Sequence, residues 1–479
     1  MKGRQRMKLA ASPDTARVEA LFSLGIGHLE TGDLPSAEAC FREVIQIAPK
    51  LAVAHSNLGV TLEKAGALEA AEACYRRALT LDPRGLQAHL NLGALLVNQK
   101  QFDQAEQLYH RAMKRFPDSA ALWSNQGALH ACLQQEEAAE HCCRRALALD
   151  STHAKARYNL SYLLLRQGRF EEGWQALEAR SWNLDLLAKV SGPRWQGESV
   201  VGKSVLIGCE GGYGDMIQFC RYACGLKAEG AARIGIVCQP ALKRLFQTLA
   251  GVDVVVALGE LIPEPGWDVW TLPLSIPLHR NTRLDSIPAP IPYLQAQPDL
   301  SRKWSPLLPP DQVRVGLVWK GNTHFDNDDE RSLPHLGLLA PLVVVPGVRF
   351  VSLQKGAGEA EAAHPPPGLE LLDPSASIED FADTAALIAN LDLVISVDTA
   401  TAHLAGALGK PCWVLLPYYK PDWRWFKDRE DSPWYPGLMR LFRQPPSEGW
   451  GPVLQEVAAA LHRFVQAHAS SRLPEDPQG

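Results

Sequence analysis

Several features that mark other protein classes are absent from this 479-residue sequence. No stretch reaches the roughly 18 uninterrupted apolar residues of a membrane-spanning helix, and the basic start MKGRQRMKLAASPD lacks the apolar core of a signal peptide. The ten cysteines form no CxxC pair, so structural zinc is not expected. With a formal net charge of −5, there is no basic excess for binding nucleic acid. These absences predict a cytoplasmic protein, and the length of 479 residues predicts two or three domains.

A 34-residue period dominates the first part of the sequence. Each unit ends in a proline that cannot continue a helix, and small residues recur where two helices would pack closely. A period of 34 is that of tetratricopeptide helical hairpins, and we expect an α-solenoid over residues 16–182. The recurring positions are Leu24-Gly25, Leu58-Gly59, Leu92-Gly93, Gln126-Gly127 and Leu160-Ser161; Ala37, Ala71, Ala105 and Ala139; Phe41, Tyr75 and Tyr109; and Pro49, Pro83 and Pro117.

Asparagine recurs with the same period, at Asn57, Asn91, Asn125 and Asn159. On the concave side of a superhelix, such an asparagine column can bind the backbone of an extended peptide without reading its side chains. The column resembles the one that lines the superhelix of O-GlcNAc transferases. We therefore predict that the array binds an acceptor peptide; the alternative is that asparagine is simply common at this slot.

The pattern changes after residue 193 to short β-branched runs that alternate with amphipathic stretches, which is typical of an α/β fold. A proline-rich segment at 281–312 divides these runs into two groups. We expect two Rossmann-like lobes, at 195–305 and 311–468, the second with a terminal helix. The runs are KSVLIG, ARIGIVCQ, VDVVVAL, VRVGLVWKG, VRFVSLQKG, LDLVISVD and PCWVLLP.

In open parallel sheets, ligands bind beyond the carboxyl ends of the strands. After KSVLIG, a turn with Gly211, Gly212 and Gly214 delivers Asp215 to the start of a helix. A carboxylate in this place can act as a general base for an acceptor hydroxyl. Taken alone, it can equally be a helix-capping aspartate.

Two further strand ends carry candidate ligand-binding residues. Lys320 and Arg331, near Asn322, could neutralise a diphosphate that gains charge as it leaves, and Gln354 could line a base site. At the other strand end, Asp398 and Thr399 precede a helix that carries Thr401 and His403. Helix N-termini bind phosphate through unpaired amides, so this strand end is predicted to bind the donor.

These segments together resemble the heptosyltransferase-like glycosyltransferases of family 9, which have the GT-B fold, over about residues 195–465. Gly214-Asp215 matches the family's GD, whose aspartate is implicated as the base, and Asp398, Thr399 and His403 match its D-T-x-x-x-H. The resemblance implies an inverting transfer that needs no metal or other cofactor, an acceptor-side first lobe and a nucleotide-sugar-side second lobe. The turn reads EGGYGD instead of the commoner EQGLGD type.

The whole arrangement is similar to bacterial tetratricopeptide proteins with this transferase domain, including flagellin glycosyltransferases. The resulting hypothesis is a transferase that moves a sugar from a nucleotide to a hydroxyl of a protein, which is flagellin or another surface protein. Hexosyl, heptosyl and nonulosonate donors all remain open. The alternatives are a lipopolysaccharide or surface-glycan transferase, and a scaffold with an inactive transferase-like domain. For the aromatic segment 422–436 we expect packing between the lobes.

Overall fold

The computed structural model describes residues 13–180, 192–263, 266–288, 290–325 and 327–471. Its contacts divide the chain into two units, Met1–Leu163 and Leu164–Gly479. A helical solenoid followed by a domain with parallel sheets confirms the predicted fold class. The predicted end of the array, residue 182, lies outside the described residues.

The first unit is built from antiparallel helical hairpins, as the 34-residue period predicts. In the first three hairpins a Leu-Gly pair lies in the first helix, and a proline follows the second helix where it ends. The helices are α1 (Pro13–Thr31), α2 (Leu34–Ile47), α3 (Ala52–Lys64), α4 (Leu68–Leu81), α5 (Leu86–Asn98), α6 (Phe102–Arg115), α7 (Ala120–Cys132) and α8 (Glu136–Leu149), and α9 (Ala154–Arg166) extends past the division.

Glycine and an aromatic ring determine how closely the two helices of a hairpin approach. A Cβ built on Gly59 would lie 2.6 Å from Tyr75 Cε1, and one on Gly93 would lie 2.1 Å from Tyr109 Cε1. Any larger side chain would therefore clash with the ring of the same hairpin. Both tyrosines are buried in the unit, which explains why the two columns repeat together.

The second unit contains two parallel sheets. The first has the order β3-β2-β1-β4, and the second has the order β10-β9-β8-β5-β6-β7. The seven predicted runs all contain strands, whereas β4, β7 and β10 were not predicted. The strands are β1 (Ser204–Ile207), β2 (Arg233–Cys238), β3 (Val254–Ala257), β4 (Val269–Thr271), β5 (Val313–Val318), β6 (Val348–Ser352), β7 (Leu371–Leu372), β8 (Leu393–Val397), β9 (Cys412–Leu416) and β10 (Met439–Arg443).

Helices flank both sheets. The first of them, α10 (Phe170–Leu177), continues the repeat pattern but belongs to this unit. The others are α11 (Tyr213–Phe219), α12 (Arg221–Ala228), α13 (Lys243–Phe246), α14 (Ile276–His279), α15 (Pro298–Trp304), α16 (Asp328–Arg331), α17 (Phe381–Ala389), α18 (Ala400–Ala407) and α19 (Gly451–Ser471).

The aromatic segment 422–436 packs in the interior, as predicted. Trp423, Trp425 and Trp434 are buried, and the Trp434 carbonyl accepts a 2.7 Å hydrogen bond from Arg221 of the first lobe. Trp174 of α10 joins this cluster, with its ring centre 5.4 Å from that of Trp423. The large apolar area of these rings fixes the two lobes and α10 against one another.

Candidate functional site

The topology selects where a ligand would bind in each lobe. In the first sheet, the chain leaves β1 towards β2 on one side and returns to β4 on the other. In the second sheet, β5 is followed by β6 on one side and later by β8 on the other. Crevices open beyond the carboxyl ends of strands at such switch points. The predicted residues Asp215, Lys320 and Asp398 follow β1, β5 and β8.

The glycine-rich turn holds Asp215 in the first turn of α11, as predicted. The amide of Gly212 donates a 2.7 Å hydrogen bond to Asp215 Oδ2. Gly211 has a φ of +71°, and a Cβ built on it would lie 2.5 Å from Asp215 Oδ2. Glycine at 211 therefore meets two demands, a left-handed backbone and the close approach of the carboxylate.

Gly214 lies where the two lobes meet. A Cβ built on it would lie 3.1 Å from His403 Cδ2 and 3.5 Å from the Cα of Ala400. This close approach brings α11 of the first lobe against α18 of the second. The GD and D-T-x-x-x-H segments, far apart in sequence, thus meet across the lobe boundary.

Arg424, which the sequence analysis missed, connects Asp215 to the second lobe. Its Nη2 is paired with Asp215 Oδ1, and its Nη1 donates to both carboxylate oxygens of Asp422 at 2.9 and 3.0 Å. Its Nε donates to Gln218 Oε1 at 2.6 Å. The available signal was an arginine set between two tryptophans in DWRW, since such a cation is buried only with acidic partners.

Asp398 lies in a crowded charged environment. Burial, and then the neighbouring Asp422 carboxylate, raise its pKa from 3.8 to about 6. The guanidinium groups of Arg331 and Arg424 and the indole N–H of Trp425 oppose this rise. Asp398, Asp422, Arg331 and Arg424 therefore act on one another in a single place between β8 and the loops that follow β5 and β9.

The helix that begins after β8 carries the other predicted donor residues. Thr399 precedes its first turn in an extended conformation, with its Oγ1 2.9 Å from Ser396 Oγ. Thr401 and His403 are buried. His403 Nδ1 lies 3.0 Å from Tyr435 Oη, and its ring stacks on Trp425 at 5.1 Å.

The imidazole of His403 is neutral in this environment. Burial, followed by the positive charges of Arg424 and Arg221, lowers its pKa well below 6.5. A neutral imidazole can accept a hydrogen bond at one nitrogen and donate one at the other. His403 therefore offers hydrogen bonding, not positive charge, to a ligand.

The predicted residues after β5 and β6 are divided between two roles. Lys320 Nζ lies 2.6 Å from Glu361 Oε1, so a cation is held at the end of β5. Gln354 Oε1 accepts from the amides of Trp319 and Lys320, and its Nε2 donates to the carbonyls of Lys320 and Ala357. All four hydrogen-bonding positions of that amide are taken. In this arrangement the Gln354 side chain therefore has no hydrogen-bonding position left for the nucleotide sugar that it was predicted to bind.

Asn322 lies on the loop between β5 and α16, and Arg331 is the last residue of α16. Asn322 is exposed, and its Oδ1 accepts from the amide of His324 at 3.1 Å. Arg331 is largely buried and donates from Nε to Asp328 Oδ1 at 3.0 Å. The charge of Arg331 acts on Asp398, whereas the side chain of Asn322 bonds to His324 within its own loop.

The same loop contains the D-x-D spacing Asp326-Asn327-Asp328, so the assumed absence of such a triplet, on which the expectation of a metal-free mechanism partly rested, was wrong. Asp328 is buried and paired with Arg331, and Asp326 lies outside the described residues. Within the described ranges, no group of three or more His, Cys, Asp or Glu side chains has the arrangement of a metal site. Metal independence remains a prediction.

A buried ion-pair network holds Glu210, at the start of the glycine-rich turn, in place. Arg180, which follows α10, is paired through Nε with Glu210 Oε1 and donates from Nη2 to Glu210 Oε2 at 3.2 Å. It also donates to Ser275 Oγ and Glu178 Oε1, both at 2.6 Å. Since the side chains of Arg180 and Glu210 have no exposed surface, this network fixes the residue that directly precedes Gly211.

The four predicted peptide-binding asparagines are not equivalent. Asn57 Nδ2 donates to the carbonyl of Val53 in its own helix at 2.8 Å. Asn91 Oδ1 accepts from Gln87 Nε2 at 2.7 Å. Asn125 is buried, bonds to the carbonyl of Leu90 at 3.4 Å and accepts from Lys155 at 3.1 Å. Asn159 Nδ2 is buried, with no hydrogen-bond partner in the part of the chain that the structure describes.

A separate open groove of about 980 Å³ lies in the second unit. It contains none of the predicted site residues, and both acidic and basic side chains line it. The lining residues are Gly168, Arg169, Phe170, Glu171, Glu172, Gln175, Arg283, Leu284, Asp285, Arg429 and Pro433.

Comparison with protein-family models matches both parts of the chain. Tetratricopeptide repeat models match residues 22–85, 64–129 and 142–175. The model of glycosyltransferase family 9 (heptosyltransferase) matches residues 348–419, which include Asp398, Thr399 and His403.

Among the helices of the described residues, none is long and apolar enough to cross a membrane.

Comparison with individual proteins finds a relative that covers most of the chain. Protein FlbA of Caulobacter vibrioides is 30% identical over 338 residues, which are 65% of this chain and 56% of that protein. The chain thus matches little more than half the length of this relative.

Among solved structures, similar ones each cover about a third of the chain. A structure of Pseudomonas aeruginosa pilF is 22% identical, covers 36% of this chain and 80% of its own, and has a TM-score of 0.33. A thermophilic tetratricopeptide protein of Thermus thermophilus is 24% identical, covers 36% and 96%, and has a TM-score of 0.32.

Proposed function

From a chain that contains tetratricopeptide repeats and a glycosyltransferase family 9 domain, we propose a glycosyltransferase that moves a sugar from a nucleotide-sugar donor to a hydroxyl of a protein. The acceptor protein is bound by the array, and the reaction takes place in the cytoplasm. The mechanism inverts the anomeric centre and uses no metal. The nucleotide-sugar donor binds the second lobe, and Asp215 of the first lobe acts as the base.

One observation carries the proposal. The family 9 match covers β6 to β9, including the whole of α18. In the folded chain Gly214, the neighbour of Asp215, lies against His403 of α18, and Asp215 itself is paired with Arg424, which follows the matched segment. A base and a donor site must lie within reach of the same acceptor atom. Here the lobe boundary brings the two segments together.

The reaction balances with the residues in place. Asp215 takes the proton of the acceptor hydroxyl as its oxygen bonds to the anomeric carbon, and the bond from that carbon to the phosphate oxygen breaks with its electron pair. The leaving nucleotide therefore gains negative charge. Lys320 supplies a cation at the end of β5 and Arg331 supplies one at the end of α16, and charge placed beforehand lowers the barrier.

The protein acceptor is proposed from the array. Of its asparagines, Asn57 and Asn91 are bonded only to neighbours within their own helix, so their amides can exchange these bonds for a peptide backbone. Asn125 is held by Leu90 and Lys155 and has less freedom to do so. We expect peptide binding to centre on the first two positions.

The donor site is tested by thermal shift of the full chain against a panel of nucleoside diphosphates and nucleotide sugars, with and without EDTA. A ligand at one hundred times its dissociation constant stabilises by about 2.7 kcal/mol. We expect a selective shift that survives EDTA and disappears in His403→Ala. His364→Ala, an exposed histidine of the matched segment, is the control and should retain the shift. If no nucleotide shifts the unmodified chain, the donor-site assignment is wrong and the scaffold alternative takes its place.

The acceptor is tested by co-expression with flagellin and by mass spectrometry of the modified protein. Asn57→Ala with Asn91→Ala should reduce protein modification but leave the nucleotide shift unchanged. Asn98→Ala, exposed on the same helix as Asn91 but outside the column, is the matched control. Equal modification by the double variant and the control would remove the role of the asparagine column.

A further inference from the structure

Arg424 is the group on which the two halves of the proposed site converge. It is 7% exposed, and its guanidinium is paired with Asp215 of the first lobe and with Asp422 of the second. Its Cζ lies 4.5 Å from the ring centre of Trp423 and 5.6 Å from that of Phe219. Carboxylates, an amide and two aromatic rings thus fix both its position and its plane.

We propose that Arg424 is the positioning residue of the base: it holds the Asp215 carboxylate at one oxygen, so that this carboxylate is oriented only while the lobes are closed on each other. The inference rests on the proposed function and deepens it, because it makes the readiness of the base depend on the lobe that binds the donor.

The geometry of the carboxylate supports this role. Oδ2 of Asp215 accepts from the amide of Gly212 within the first lobe, and Oδ1 is paired with Arg424 across the lobe boundary. Two donors from different directions fix both torsions of an aspartate side chain. Each carboxylate oxygen still keeps a second lone pair, and a quarter of the Asp215 side chain is exposed, so an acceptor hydroxyl can approach.

Arginine is suited to this position and lysine is not. The pairings to Asp215, Asp422 and Gln218 use three nitrogens of one planar group. A lysine ammonium is a single point charge and cannot serve three partners arranged in a plane. The position therefore requires the forked geometry as well as the charge.

The test compares Arg424→Gln and Arg424→Lys with Arg244→Gln in the full chain. Arg244 also crosses the lobe boundary, where it pairs with Asp380 and Asp383, but it does not contact Asp215. Two quantities are measured: amide hydrogen exchange in the peptide 208–219, which reports the bond from Gly212 to Asp215, and kcat and KM for transfer from the donor that the thermal-shift panel identifies.

We expect Arg424→Gln to speed exchange in this peptide about tenfold, and to lower kcat about 100-fold with KM for the donor unchanged, because misplacement of a reacting group by about 1 Å costs that much. Arg424→Lys should fall between, and it serves where the glutamine variant does not fold. In the background of Asp215→Asn, the further change Arg424→Gln should have no additional effect, since residues that act as a unit are not additive.

The inference is overturned if Arg424→Gln and Arg244→Gln show the same exchange and the same kcat. Failure of the proposed function looks different: the unmodified chain transfers no sugar, or Asp215→Asn retains full kcat. If the unmodified chain transfers no sugar, the exchange rates alone test whether Arg424 positions Asp215, because their measurement needs no substrate.

Discussion

Asp398 is the residue at which burial and charge conflict most directly. Its pKa is raised by burial and by Asp422 to about 6, so the folded chain holds this proton more tightly than the unfolded chain does. Ionisation of Asp398 therefore lowers the free energy of unfolding above pH 6, and this loss of stability disappears as the pH falls through 6 towards 4. The difference between 3.8 and about 6 corresponds to at most about 3 kcal/mol.

Asp398→Asn should therefore raise the melting temperature at pH 7.5, by roughly 2–4 °C for each kcal/mol recovered, and by only about half as much at pH 5, where the folded chain already binds the proton but the unfolded chain is still ionised. The same change should abolish the nucleotide shift, as expected where a site keeps a costly group for function. Calorimetry at the two pH values measures it.

Asp392→Asn is the control with the opposite sign. Burial acts to raise the pKa of Asp392, but the bonds from Arg314 outweigh it and hold the pKa below 3.8. This variant should melt lower at pH 7.5. A melting temperature of Asp398→Asn that does not exceed that of the unmodified chain at pH 7.5 would contradict the balance described here.

Residue identities were predictable only where a strand or helix end exposed them in sequence. Asp215 and Asp398 could be found because they follow β-branched runs, where ligands bind. Arg424 had only the indirect signal of an arginine between two tryptophans, and Glu210 had none, because their partners lie 209 and 30 residues away. Gln354 shows the converse, since its polarity suggested a ligand and its amide is used by the backbone of the neighbouring loops.

Among the helices of the array, glycine positions differ in what a methyl group would meet. At Gly93 an added Cβ would lie 2.1 Å from the ring of Tyr109, whereas at Gly27 nothing lies within 4 Å. Overpacking costs about 1–3 kcal/mol, and alanine in an open helical position gains about 0.5–1 kcal/mol over glycine. Gly93→Ala should therefore lower the melting temperature of the array and Gly27→Ala should raise it. Shifts of the same sign in the two variants would contradict the packing.

The ion pair of Arg180 with Glu210 joins the residue after α10 to the glycine-rich turn. Breaking a buried pair leaves an uncompensated charge and costs about 3–5 kcal/mol. Arg180→Met should show this loss in a denaturant titration of the second unit. Arg180→Met with Glu210→Leu should lose less than the sum of the single changes. Arg169→Met, whose side chain is nearly half exposed, is the control, and a loss equal to that of Arg180→Met would show that the pair does not anchor the turn.

Elements could be predicted where a periodic pattern was long enough. Four to six apolar, β-branched residues identified strands such as β2 and β8. The missed strands are short or interrupted: β7 has 2 residues, β4 has 3, and β10 carries Arg440 and Arg443. These form because a neighbouring strand supplies the ladder, which is information that lies outside the segment itself.

At the scale of the whole molecule, the repeat period and the packing do not end at the same residue. The period continues to α10, yet α10 and the later part of α9 belong to the second unit. The period is a property of the sequence spacing alone, whereas a structural unit is defined by the contacts that its side chains make. The two boundaries can therefore differ. Trp174 stands where the earlier units have glutamate, at Glu38, Glu72, Glu106 and Glu140, and it is buried among Trp423, Trp434 and Phe219.

Two deletions of the array should therefore behave differently. A chain that begins at His153 keeps α9, α10 and the capping bond from the Ala156 amide to His153 Nδ1 at 3.1 Å. A chain that begins at residue 181 loses Trp174 and Arg180, and the loss of a buried tryptophan alone costs about 3–5 kcal/mol. We expect the longer chain to melt cooperatively, retain the nucleotide shift and lose modification of the acceptor protein. The shorter chain should lose cooperative melting and the nucleotide shift as well. Full modification of the protein by the longer chain would show that acceptor binding does not need the array, and equal melting temperatures would show that α10 is not part of the transferase unit.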